Sequence, residues 1–323
     1  MAKLSACDFN SCLVSSSPYG YRPSVLASGI FTSLFSLSLV GCLAIAATVS
    51  RGRWLHFTVP LCIACVFEII GYSARIASWS DPWDVRLFIV STAFLTVAPA
   101  FVAAEIHITI AKTVPVLGTE HSLVDPSLHE KLLVVDGLGL ALQEAGLVAS
   151  FSSPDLDLSA GAGTVGGALV AMGLAAQLLS LSASGALFGA VLFRASAAAR
   201  RRRDGHAAPG YVAPLGTRVK ALVAVLAISL VSLSVRGLYA ITAAASVFGV
   251  GGLARNEALF VGFDGLMVSQ AVVALVAVHP AYFLDGALKA RAWAPGNGIA
   301  GWRLESRTNG RGLVSWGHTS HFV

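Results

Sequence analysis

The sequence predicts an all-α membrane protein, a seven-transmembrane-helix bundle with its N-terminus outside and its C-terminus in the cytosol. Three observations carry this. Of 323 residues, 55% are hydrophobic and only 12% charged, with a mean hydropathy of +0.74, whereas a soluble domain carries about 25% charged residues. Seven apolar stretches, at about 25–49, 55–78, 87–111, 132–151, 163–193, 219–248 and 258–284, reach the ~20 residues that a helix needs to cross a bilayer. Lys and Arg gather on one side of those spans. Arg51, Arg53, Lys112, Lys131, the loop at 194–220 and the tail hold sixteen of the 22, while Lys3, Arg22, Arg86 and Arg255 lie on the other side. The bases mark the cytosolic side.

Residues 1–24 form an extracytosolic segment without an apolar core of their own, so the first span is expected to act as the targeting signal. Cys7 and Cys12 can pair there if that side is oxidising. The second span, Leu55 to Ser78, organises the rest. It holds Glu68 and Arg75 seven residues apart, hence on one helical stripe, with Tyr72 near it. We read them as a buried ion pair, because a charge at mid-membrane costs roughly 2.5–3.5 kcal/mol and must face protein or water. Cys42, Cys62 and Cys65 fall inside spans as small hydrophobes. The third span carries Glu105 and His107, the fourth Asp136, Gln143 and Glu144, and the fifth Gln177 and a GxxxG at Gly185 and Gly189. Arg236 and Tyr239 lie in the sixth, Glu257 and Asp264 open the seventh, and His279 is near its end. Pro60, Pro99 and Pro280 are read as lying within spans.

Asp136 and Gln143, like Glu257 and Asp264, repeat the spacing of seven. The candidate polar core is therefore Glu68, Tyr72, Arg75, Asp136, Gln143, Gln177, Arg236, Tyr239, Glu257 and Asp264, either tying helices together or lining a hydrated substrate path. The arginine run at 200–203 lies in the predicted cytosolic loop 194–220, where anionic headgroups attract each base by about 1 kcal/mol. A nucleic-acid role does not suit a loop tethered between two spans. The tail, 285–323, is basic and Gly-rich and is expected to be loosely ordered. There is no GxxxxGK[ST] loop for a nucleotide and no lysine in span seven for a retinal Schiff base. Nothing in the sequence implies a cofactor.

These pieces resemble the fungal lipid-translocating exporter family, also called resistance-to-aminocholesterol-like. The resemblance runs through YGYRPS at 19–24, Glu68-x-x-Gly71-Tyr72-x-x-Arg75, APAFVAA at 98–104, and Asp136 with Gln143 and Gly146. It continues through Gly173, Leu174 and Gln177, then Arg236 and Tyr239, Glu257, Phe263 and Asp264, and His279-Pro280. His107 stands where the family has tyrosine, and Ala240 and Ala243 replace an arginine and a glutamate. The resemblance implies a seven-span plasma-membrane protein linked to export or flip of sphingoid bases and phospholipids, with membrane lipids as partners and a lipid-like substrate. Two other readings stand beside it. One is a seven-span lipid receptor or sensor; the other is an intramembrane zinc hydrolase similar to ceramidases, using His56, His107, Asp136 and His279.

Overall fold

The computed structural model describes residues 7–50, 55–152, 165–203, 217–247 and 255–283. Seven helices in it are long and apolar enough to cross a membrane, and no strand occurs among the described residues. They are α1 (Val25–Ile45), α2 (Leu55–Ala77), α3 (Val85–Leu117), α4 (Ser127–Ser152), α5 (Val165–Arg203), α6 (Thr217–Val247) and α7 (Glu257–Ala277). A short α8 (Pro280–Phe283) follows. The tail and the middle of the 194–220 loop lie outside the described residues.

Neighbours in sequence pack as neighbours in space, and α7 returns to α1, so the helices close into a ring. α3 also touches α5, α6 and α7, making it the central rod. Its buried residues, among them Ala98, Pro99, Val102, Ile106, Ile110 and Val114, accordingly face more than one neighbour. α1 shows the opposite pattern. Ser28, Phe31, Phe35, Ser38 and Cys42 recur every three or four residues on its buried face, while Leu26, Ile30, Leu37 and Val40 are exposed on the other. The hydroxyls of Thr32 and Ser33 donate to the carbonyls of Ser28 and Gly29 four residues back, so neither hydroxyl is left for lipid to solvate.

Several element boundaries differ from expectation. α5 continues to Arg203, so Arg194 and the arginine run sit on helix and not in a loop. Hydropathy falls after residue 193, but Ala and Arg are good helix formers, and the helix dipole favours bases in its last turn. α7 stops at Ala277, because a residue before proline is pushed out of the helical region. Pro280 therefore opens α8 and is not inside a span. Pro60 and Pro99 do lie within α2 and α3.

The expected GxxxG is not a close contact: nothing lies within 4 Å of where a Gly189 Cβ would be, and Gly185 has ordinary room against Leu230. The tight seam is between α4 and α5. There Gly139 faces Gly173 and Gly146 faces Gly166, two rungs seven residues apart on antiparallel helices. A Cβ at Gly146 would meet the Gly166 carbonyl oxygen at 2.5 Å and the Val170 nitrogen at 2.8 Å. Backbone cannot give way as a side chain can, so these four positions bring the two helices together.

Residues 7–24 fold over one end of the bundle. Cys7 and Cys12 are disulfide-bonded. Arg22 lies over the Trp79 ring and donates from Nε to the Trp79 carbonyl, while the Tyr19 and Ser78 hydroxyls are 3.1 Å apart. Ser24 caps α1 by accepting from the Ala27 N–H.

Candidate functional site

The polar core divides into tiers, beginning beneath the N-terminal segment. Arg75 of α2 is 4% exposed. Its Nη2 donates to the Tyr21 hydroxyl at 2.9 Å and lies 3.7 Å from Glu257 Oε1. The guanidinium carbon sits 4.1 Å from the Phe260 ring centre and 5.2 Å from that of Tyr19, so aromatic faces supply the rest of its surroundings. Burial raises the Tyr21 phenol above its ordinary range, opposed by the nearby Arg75 charge, which keeps that partner neutral. Glu257, partly exposed, also accepts from the Ser24 N–H at 2.6 Å, tying the start of α1 to α7. Replacing Arg75 with lysine keeps the charge but loses the planar fork. Arg75→Lys is expected to lower stability by about 1–2 kcal/mol, read from unfolding in mixed micelles.

The next tier joins α2, α3, α6 and α7. Arg236 Nε donates to Asp264 Oδ1 at 2.8 Å, and both side chains are 7% exposed. Arg236 Nη2 donates to the Leu95 carbonyl at 3.1 Å. That carbonyl is four residues before Pro99, which has no N–H to offer it, so the arginine supplies the donor that proline removes. Asp264 stands in a π turn, Val261–Gly265, which widens α7 at this point. Gly71 lets α3 in: a Cβ there would meet the Leu95 side chain at 2.6 Å. Tyr72 stacks on Phe31 and Phe35 of α1, and Tyr239 stacks on Phe263.

Glu68 does not pair with Arg75. Seven residues span about 10 Å along a helix axis, so one stripe aligns the two charges without bringing them together. Because α2 and α7 run antiparallel, Arg75 meets Glu257, while the charges acting on Glu68 are Asp264 and Arg236. Neither Glu68 oxygen has a hydrogen-bond partner among the described residues, and nor does the Tyr72 hydroxyl.

A separate cluster lies between α3, α4 and α5. His107 Nε2 is 2.9 Å from Asp136 Oδ2 and 3.4 Å from Ser180 Oγ. Gln177 Nε2 donates to the Asp136 carbonyl at 3.4 Å. Gln143 is fully buried, with neither amide atom partnered among the described residues. Glu105, also fully buried, accepts from Thr109 through Oε1. Farther from the N-terminal end, His129 Nδ1 is 2.7 Å from Ser184 Oγ and Thr58 Oγ1 is 3.2 Å from His279 Nε2. A cleft of about 30 Å³, room for a water molecule, lies between the two clusters. Pro99, Ala103, Gln177, Leu181, Leu233 and Arg236 are among the residues that line it.

The predicted residues thus form two groups and not one. Glu68, Tyr72, Arg75, Arg236, Tyr239, Glu257 and Asp264 gather around α2, α6 and α7; Asp136, Gln143 and Gln177 lie on the α4–α5 side. One cleft between the groups has room for a water molecule. Tyr19, Tyr21 and Phe260 around Arg75 and the Leu95 carbonyl lie outside the residues read as the polar core, and His107 and Asp136, named together only as zinc ligands, meet as a pair. Pro99 is the signal that could have found the carbonyl. Among the described residues no three His, Cys, Asp or Glu side chains come together as metal ligands.

The family described as "RTA1 like protein" matches residues 61–287. Protein RTM1 of Saccharomyces cerevisiae is 30% identical over 90 residues. That alignment spans 27% of this chain and only 29% of the length of that relative. No solved structure matches.

Proposed function

The chain belongs to the family of RTA1-like proteins, multi-pass membrane proteins linked to resistance, and from that premise we propose that it supports translocation of amphiphiles with a cationic headgroup, such as sphingoid bases and related lipids. The observation that carries this reading is the paired charge inside the bundle. Arg236–Asp264 and Arg75–Glu257 balance each other, and Glu68 remains as a carboxyl without a basic partner of its own. A site with one spare acid suits a visiting cation, while an anion would meet an uncompensated carboxylate. The amphiphile's tail stays in the bilayer as its head passes the polar tiers.

In this reading the disulfide-bonded N-terminal segment faces outside, because disulfides persist in oxidising compartments. The basic end of α5 then faces the cytosol and holds anionic headgroups, and the membrane is the plasma membrane. Driving force comes from a gradient. The test is reconstitution in liposomes, following a fluorescent sphingoid base and a fluorescent phospholipid across the bilayer. Wild-type protein is expected to speed the base above the protein-free rate, and Glu68→Gln, which strands no paired charge, to slow it. Equal rates with and without protein would sink the proposal. Ligand-dependent recruitment of a cytosolic protein without lipid movement would instead favour a receptor.

A further inference from the structure

Glu68 is 1% exposed, and neither of its oxygens has a donor among the described residues. The two guanidiniums buried among the described residues are engaged elsewhere: Arg236 with Asp264 and the Leu95 carbonyl, Arg75 with Tyr21 and Glu257. The titratable groups acting with Glu68 are Tyr72 and Cys65 on its own helix, Asp264 on α7 and Arg236 on α6. α1 brings no charged residue, and α3 brings Glu105 and His107 to the interior farther along the axis. A carboxylate buried without donor or cation is far costlier than its protonated form.

We propose that Glu68 is a proton-binding site whose proton is exchanged for the ammonium group of a cationic amphiphile, so that the protein moves the two in opposite directions. The inference rests on the reading above and adds its co-substrate. Charge balance makes the exchange obligatory. With Glu68 protonated, Asp264 and Arg236 sum to zero. When the amphiphile enters, the Glu68 O–H bond breaks, the proton leaves to water, and the ammonium takes its place beside the carboxylate; the sum is again zero. Binding both cations leaves a net positive charge in a buried site, and binding neither leaves a net negative one. Both are disfavoured there. The cleft with room for a water is lined by Arg236 and Gln177, and Gln177 donates to the Asp136 carbonyl, so polar groups beyond Arg236 are available to the departing proton.

The test uses the full-length protein in nanodiscs and has two arms. Without ligand, infrared spectra at neutral pH are expected to show a protonated carboxyl band that Glu68→Gln removes; its absence from the wild type would overturn the proposal. In the second arm the probe is a long-chain trimethylammonium, which has no proton of its own. In weak buffer its binding is expected to release a proton from the wild type. Glu68→Gln is expected to release none and to bind roughly tenfold more weakly. Binding without release overturns the exchange and leaves translocation standing. Absence of binding overturns the translocation reading and the exchange with it, whatever the infrared band shows.

Discussion

Arg236→Ala is expected to cost about 3–5 kcal/mol of stability, enough to remove most folded protein from the membrane, because it strands a buried charge. Asp264 would keep its carboxylate at 7% exposure with its 2.8 Å donor gone. The Leu95 carbonyl would lose the donor that stands in for the missing Pro99 N–H. The double variant Arg236→Met with Asp264→Leu separates these effects. It removes both charges and leaves the carbonyl alone unsatisfied, which costs about 1–3 kcal/mol. Unfolding in mixed micelles should therefore place the double variant above the single one. If the single and double variants melt together, the ion pair is not what holds α6 to α7. If Arg236→Ala melts like wild type, the carbonyl is not dependent on it either.

This pair also shows how much of the fold the amino-acid sequence carries. Seven spans were legible because hydrocarbon leaves a backbone few ways to cross it, and an apolar run of sufficient length is nearly a sufficient signal. The spacing of seven was legible too, since helical periodicity alone puts Glu68 with Arg75 and Glu257 with Asp264 on single stripes. What stripes cannot tell is which helix answers them. That depends on the direction and register of neighbours, and antiparallel packing of α2 against α7 turned an expected pairing along one helix into pairings across two. Arg236 was expected among the polar residues, but its second partner is a backbone carbonyl, which carries no sequence letter. Only Pro99, four residues on, marks it. The arginine run was misplaced for a different reason. Hydropathy reports where apolar surface stops, whereas α5 continues to Arg203 on helix propensity and the dipole's preference for bases in the last turn.

Glycines show the same gap between spacing and contact, and they support the second large prediction. Gly173→Ala is expected to destabilise the protein by about 3 kcal/mol, the upper end for an overpacked position, while Gly189→Ala stays within about 0.5 kcal/mol of wild type or gains slightly from helix propensity. Both lie on α5 and both changes add one methyl, so propensity is common to the two. They differ in what the methyl meets. At Gly189 nothing lies within 4 Å. At Gly173 it would strike the Gly139 carbonyl and come within 3.0 Å of the Gln143 nitrogen. The Gln143 side chain, at 2.7 Å, could turn aside, but the backbone of α4 could move only by parting the helices. Parting them would also open the second rung, Gly146 against Gly166, and draw Gln177 away from the Asp136 carbonyl it already reaches at 3.4 Å. A loss confined to Gly173→Ala would assign the α4–α5 seam to backbone approach; equal effects at both glycines would assign it to helix propensity and remove the seam as the support of the Asp136 cluster.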